Sequence, residues 1–168
     1  MNLCLAAVFR DQWTTDELAT IVVRLSVAAL LGAILGFERQ REGKSAGLRT
    51  HMLVCLGAAV FAIGPSLGQV DDASLSRIIQ GIATGVGFLG AGAILKASEE
   101  QHVRGLTTAA SIWVTAGAGV AVGAGYLLAA LAAVALSWIV LYPLQLIEIR
   151  FQAWLGPKRP AERKAHRD

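Results

Sequence analysis

The chain has 168 residues, of which 55% are hydrophobic and 16% charged, with a formal net charge of +3. A soluble domain carries about 25% charged residues, so this deficit and the long uncharged runs exclude an ordinary soluble protein and point to an integral membrane protein. Cys4 stands near the N-terminus and Cys55 inside an apolar run, which excludes a disulfide framework.

Residues 1–16 form a short N-terminal segment, and Met1–Phe9 lacks the basic start and small-residue cleavage site of a signal peptide. Thr14 and Glu17 have capping-box spacing, so a helix is expected to start near Thr15 and run to Phe37. Arg24, near its outer end, is expected to snorkel to the interface, with a functional buried charge as the alternative. Ala28, Gly32 and Gly36 form a small-residue ladder at four-residue spacing. The polar loop Glu38–His51 leads into a second span, His51–Gln69, and a connector carrying Asp71 and Asp72 follows.

The third span, Ile78–Lys96, carries Gly81, Gly85, Gly87, Gly90 and Gly92. Glycine disfavours helices in water by about 1 kcal/mol. In a bilayer the backbone must bond to itself, so the run is expected to be helical and to pack closely against its neighbours. This segment is read as the central helix of the bundle. Residues 85–90 also match GxGxxG, but no strand precedes them and no acidic residue stands about 20 positions on. Helix packing is therefore preferred to a nucleotide site.

A polar loop, residues 97–104, comes next, and from Gly105 to Ile147 no residue is charged. One straight helix of that length would be about 65 Å long, against a hydrocarbon core of about 30 Å. The chain must turn, and Gly123–Tyr126 is the expected place. In the fourth span Ser111, Thr115, Gly119 and Gly123 share a face. In the fifth, Leu127–Ile147, Trp138 and Tyr142 are placed for an interfacial belt. The fold class is thus all-α: a polytopic bundle of about five transmembrane helices over residues 17–148, followed by a basic tail, 149–168. Arg39, Arg41, Lys44, Arg49, Lys96, Arg104 and the tail's basic residues fall on one side. The positive-inside rule makes that side cytoplasmic and puts the N-terminus outside.

Three stretches meet on that side: Glu38-Arg39-Gln40, Gly47–His51 and Val103–Ser111. Thr50, Thr107 and Thr108 are suited to cap the second and fourth helices. Glu38 is expected to pair with Arg49 or Arg104, because a carboxylate at the membrane edge needs a partner. These residues either pin the helix ends or form a site for an ion, an anion or a partner protein. Asp71 and Asp72 are a weak metal signal, and His51 and His102 have no zinc spacing. No metal, cofactor or catalytic residue is expected, and no nucleophile–base arrangement argues for an enzyme. Loop charges of a membrane protein explain the basic residues without nucleic acid.

GFERQREGKSAGLRTHMLVCLGAA, GVGFLGAGAI and VRGLTTAASIW, in that order, resemble the signature segments of the MgtC/SapB family, from about Val22 to Ile147. The matching positions include Glu38, Arg39, Gln40, Arg49, Thr50, Thr107 and Thr108, with Gly85, Gly87, Gly90 and Gly92; Arg104 is the second residue of the third segment. The resemblance implies a bacterial inner-membrane protein of about five spans. Family members are associated with growth in low Mg²⁺ and survival inside macrophages, and with modulation of membrane energetics, including inhibition of the proton-driven ATP synthase. Virulence-type members carry a folded cytoplasmic domain after the last span, and this chain resembles the short members. The expected function is a non-enzymatic regulator acting on membrane energetics or Mg²⁺ homeostasis through membrane-protein partners, the ATP synthase among them, with homo-oligomers left open. The alternative is a transporter or channel for Mg²⁺, protons or another small ion.

Overall fold

The computed structural model describes residues 14–67, 72–96 and 103–143, with residue 150. Expectations for residues 1–13 with Cys4, for Asp71, for the loop 97–102 with His102, for the end of the fifth span and for the tail beyond it lie outside those residues. The elements are α1 (Thr15–Arg41), α2 (Leu48–Leu67), α3 (Asp72–Ala93), β1 (Leu95–Lys96), β2 (Val103–Arg104), α4 (Leu106–Gly123) and α5 (Leu127–Leu141). Each of the five expected spans holds a helix over its described residues, except that the third ends at Ala93 and Leu95–Lys96, expected within it, form β1. Helices α1, α2 and α4 are long and apolar enough to cross a membrane, and α5 is a shorter apolar helix. Helix α3 has 22 residues, about 33 Å of length, but its glycines, Arg77 and Gln80 lower its hydropathy.

Local signals start and stop the helices. The Thr14–Glu17 capping box forms: Glu17 N–H donates to Thr14 Oγ1 at 3.3 Å, and Thr14 N–H donates to Glu17 Oε2 at 2.8 Å. Helix α1 ends in a Schellman motif. Lys44 N–H reaches Arg39 O at 3.0 Å, and Gly43 N–H reaches Gln40 O at 3.1 Å, with Gly43 at φ +66°. Helix α4 ends the same way: Tyr126 N–H reaches Ala121 O at 2.7 Å, Gly125 N–H reaches Val122 O at 3.0 Å, and Gly125 has φ +92°. A side chain with a Cβ is strained in this left-handed region, so glycine ends both helices. The two-residue strands pair antiparallel, Leu95 opposite Arg104, and tie the end of α3 to the start of α4.

The chain divides into two compact units, Met1–Ser137 and Trp138–Asp168. In the second, the Trp138 and Tyr142 rings stand 5.1 Å apart, tilted by 38°. The first is built around α2, which corrects the reading of α3 as the central helix. A Cβ at Gly32 of α1 would meet His51 O at 2.6 Å, and one at Gly36 would meet Leu48 Cα at 2.8 Å. From the other side, Gly119 of α4 lies against Cys55 O, and a Cβ at Gly123 would meet Ala59 O at 2.5 Å. Helix α2 is thus held backbone to backbone between α1 and α4, the approach that small residues permit. On α3 a Cβ at Gly90 would touch Ala109 at an ordinary 3.5 Å, while Gly81, Gly85, Gly87 and Gly92 would meet nothing within 4 Å. The expectation that Gly85 packs tightly inside this chain is corrected accordingly. A flat helix face shows that a neighbour can come close; it does not supply the neighbour.

The two core clusters share α2 and α4. One joins Ala28, Leu35, Cys55, Ala59 and Val122 with Ala130 and Val134 of α5, and the other joins Ala58, Val86, Ile112 and Ala116. Large apolar side chains face outward, with Phe88 82% and Leu128 83% exposed, while Arg39, His51 and Thr115 are buried. That inversion suits a surrounding solvent of lipid tails.

Candidate functional site: a buried arginine–histidine cluster

The cluster forms where α1 ends and α2 and α4 begin. Arg39 lies in the last turn of α1 and is 2% exposed. Its Nη2 donates to Thr108 Oγ1 of α4 at 2.9 Å, and its Nη1 reaches Glu42 Oε2 at a longer 3.4 Å. Its Nε is buried without a hydrogen-bond partner. A buried guanidinium requires compensation, and the partners here are one hydroxyl and one carboxylate that is shared with Lys44 Nζ at 3.8 Å.

His51 of α2 is 0% exposed. Its Nδ1 lies 2.9 Å from Gly47 O and its Nε2 lies 3.2 Å from Ser111 Oγ. The carbonyl can only accept, so Nδ1 carries a proton. Ser111 Oγ also lies 2.8 Å from Thr108 O. The network then closes in two ways. With neutral His51, the Ser111 hydroxyl proton turns to Nε2; with protonated His51, Nε2–H donates to Ser111 and the hydroxyl donates to Thr108 O. Thr115 Oγ1 donates to Ser111 O at 2.7 Å and continues the polar line along α4.

The cluster assembles because Gly32 and Gly36 let the first turn of α2 lie directly on α1, which carries His51 inward beside Arg39. His51, Ser111 and Glu42 are members that sequence reasoning left out of the site. The signal was present: Ser111 shares the Gly119 face of α4, and that face is the one turned to α2.

The other expected residues sit as follows. Glu38 does not reach Arg49 or Arg104; its ion pair is with Arg41, at 3.6 Å and one turn on. A half-exposed i,i+3 pair contributes at most about 1 kcal/mol. The carboxylate takes the cation on its own helix because no loop need be ordered to bring it. Arg49, Thr50, Arg104 and Thr107 are exposed. Capping falls elsewhere than on Thr50, Thr107 and Thr108. Gln40 Oε1 accepts from Leu48 N–H at 3.1 Å, and the cap of α4 is Gly105, which makes no side-chain bond. Gly47 lies against the Gln40 side chain.

Arg24, half-buried, finds its partners at helix ends. Its Nη1 donates to Ser66 Oγ and to Gly123 O, both at 2.8 Å. It clamps the ends of α2 and α4 to α1, a favourable place for a cation at helix C-termini. The GxGxxG residues 85–90 lie within continuous helix α3. Among the described residues no three His, Cys, Asp or Glu side chains gather as a metal site.

Comparison with known proteins agrees with the membrane architecture. The MgtC family matches residues 25–150. Protein SrpB of Synechococcus elongatus is 48% identical over 113 residues, 61% of this chain and 62% of that protein. YhiD of Escherichia coli K12, provisionally named a magnesium transporter, is 47% identical over 114 residues, 64% of this chain and 52% of YhiD. Protein MgtC of Salmonella typhimurium is 48% identical over 112 residues, 67% of this chain and 47% of that protein. The chain therefore spans about half to three-fifths of the length of these relatives. No solved structure matches it. With most of its length matched and three helices able to cross a bilayer, the chain belongs to the MgtC family and is a multi-pass protein of the bacterial inner membrane.

Proposed function

We propose that the chain is a non-enzymatic regulator that acts on membrane energetics or Mg²⁺ homeostasis by binding another membrane protein. One observation carries this reading: the seam between its two polar clusters is closely packed. Arg39 and His51 lie at one end of the α1–α2–α4 seam and Arg24 and Ser66 at the other. Between them Gly32 and Gly119 press on the α2 backbone, and Ala28, Cys55 and Ala59 are fully buried. An ion crossing a membrane needs polar partners or water along its way. Apart from the Cys55 thiol and the Thr115 hydroxyl, which donates to Ser111 O, this seam offers backbone contact and methyl groups, which supports a function exercised at the outer surface of the chain. The proton-driven ATP synthase is the partner that the family resemblance puts first.

The second reading is a transporter or channel for Mg²⁺, protons or another small ion. It draws on YhiD's provisional name and on Arg39, because intramembrane charges mark ion paths in many transporters. Reconstitution separates the two. Purified chain in liposomes holding Mg²⁺- and pH-sensitive dyes should give no flux above empty vesicles, and capture from membranes of cells grown at low Mg²⁺ should retain a membrane-protein partner. Ion flux would replace the regulator reading with the transporter reading.

The same proposal orients the chain with its Arg39 end in the cytoplasm, on the positive-inside rule. A reporter fused after Asp168 should read cytoplasmic, and one inserted near Asp72 should read periplasmic. The reverse pattern would overturn the orientation.

A further inference from the structure

A groove of about 840 Å³ runs between α2 and α3, within the size range of ligand sites, about 300–1,000 Å³. Its walls extend from Arg49 to Phe61 on α2 and from Ile78 to Leu89 on α3. At about 1.5 Å per residue each wall is about 17 Å long. One leaflet is half of a core about 30 Å thick, so the groove has the length of one acyl layer.

Its chemistry is polarised along that length. Gly57, Gly81 and Gly85 line it, and a Cβ on any of them would meet no atom within 4 Å, so missing side chains hollow it. Arg49 and Thr50 are its charged and hydroxylated residues, and both sit at one end, exposed. Among the described residues Arg49 joins no salt bridge.

We infer that this groove holds one anionic phospholipid from the leaflet on the Arg49 side, with its phosphate on Arg49 and Thr50 and an acyl chain between α2 and α3. A cation at the mouth of an apolar slot one leaflet long matches a molecule with an anionic head and a hydrocarbon tail. A free phosphate has nothing to place in the slot. A helix of a second copy would cross the whole core and set apolar side chains against Arg49. Basic pockets between membrane helices bind anionic headgroups by this same chemistry. The inference goes beyond the proposed function and does not depend on it.

The test is native mass spectrometry of the full chain in detergent, after exchange against phosphatidylglycerol or phosphatidylcholine. One phosphatidylglycerol should remain per chain, preferred over phosphatidylcholine by about fivefold for a single basic contact. Arg49→Gln should abolish that preference and keep a bound lipid. Gly85→Leu should fill the groove and retain neither lipid, with melting unchanged; if its melting falls, Gly81→Leu replaces it. Equal preference in wild type and Arg49→Gln would overturn the inference, as would full lipid retention by the groove-filled variant. A wild-type dimer that Gly85→Leu converts to monomer would assign the groove to a second copy and also overturn it.

Discussion

Gly119→Ala should lower the unfolding midpoint of the detergent-solubilised chain by about 4–8 °C, while Gly85→Ala should leave it unchanged or raise it slightly. The new methyl at position 119 would collide with Cys55 O and stand 3.0 Å from Ala58 Cβ. Backbone cannot swing aside as a side chain does, and α2 cannot retreat because Gly32 and Gly36 hold its other flank. Overpacking of this kind costs about 1–3 kcal/mol, here at the upper end. The better helix propensity of alanine returns about 1 kcal/mol. The net loss, about 2 kcal/mol, corresponds to the stated shift for a chain of this size. At Gly85 the propensity term acts alone, because nothing lies within 4 Å. Equal midpoints for the two variants would refute the placement of α2 between α1 and α4.

The second large effect is a coupling between Arg39 and Thr108. Thr108→Val keeps the shape and removes the hydroxyl that accepts from Nη2 at 2.9 Å. Arg39 would then be buried with both Nε and Nη2 unpartnered, and the loss of a hydrogen bond to a charged group costs about 1.5–3 kcal/mol. In an Arg39→Leu background the same change should cost close to nothing, since no buried donor is stranded. Glu42 keeps Lys44 at 3.8 Å in that background. Unfolding free energies for the two single variants and the double variant form a cycle with an expected coupling of about 1.5–3 kcal/mol. Additive costs would mean that the contact contributes nothing. The double variant also separates brace from site: a folded protein that no longer captures its partner would show that the cluster is read functionally.

Local features were legible in the residues. Thr14 and Glu17 set the start of α1 through bonds three residues apart, and the uncharged run after Gly105 had to turn for reasons of length. The face of α4 carrying Ser111, Thr115 and Gly119 was also readable from its spacing. The partners of Arg24, Glu38 and Arg39 were not. Each had several oppositely charged or polar groups within plausible reach, and choosing among them depends on helix rotation and depth. Glu38 settled on Arg41 of its own helix, and Arg39 on a hydroxyl of α4 far along the chain.

The sequence by itself determined the membrane class, the order of the five described helices, the turn between α4 and α5, and the family, because hydropathy, charge placement and caps act over a few turns of one segment. Tertiary structure alone decided that α2 and not α3 is the central helix, that His51 joins Arg39 in a buried cluster, and that Arg24 clamps helix ends. It also decided that Gly81 and Gly85 of α3 border an open groove. The physical reason is that a glycine ladder records how closely a neighbour can approach, and a buried charge records that a partner is needed. Which neighbour and which partner are fixed only when all the helices pack together.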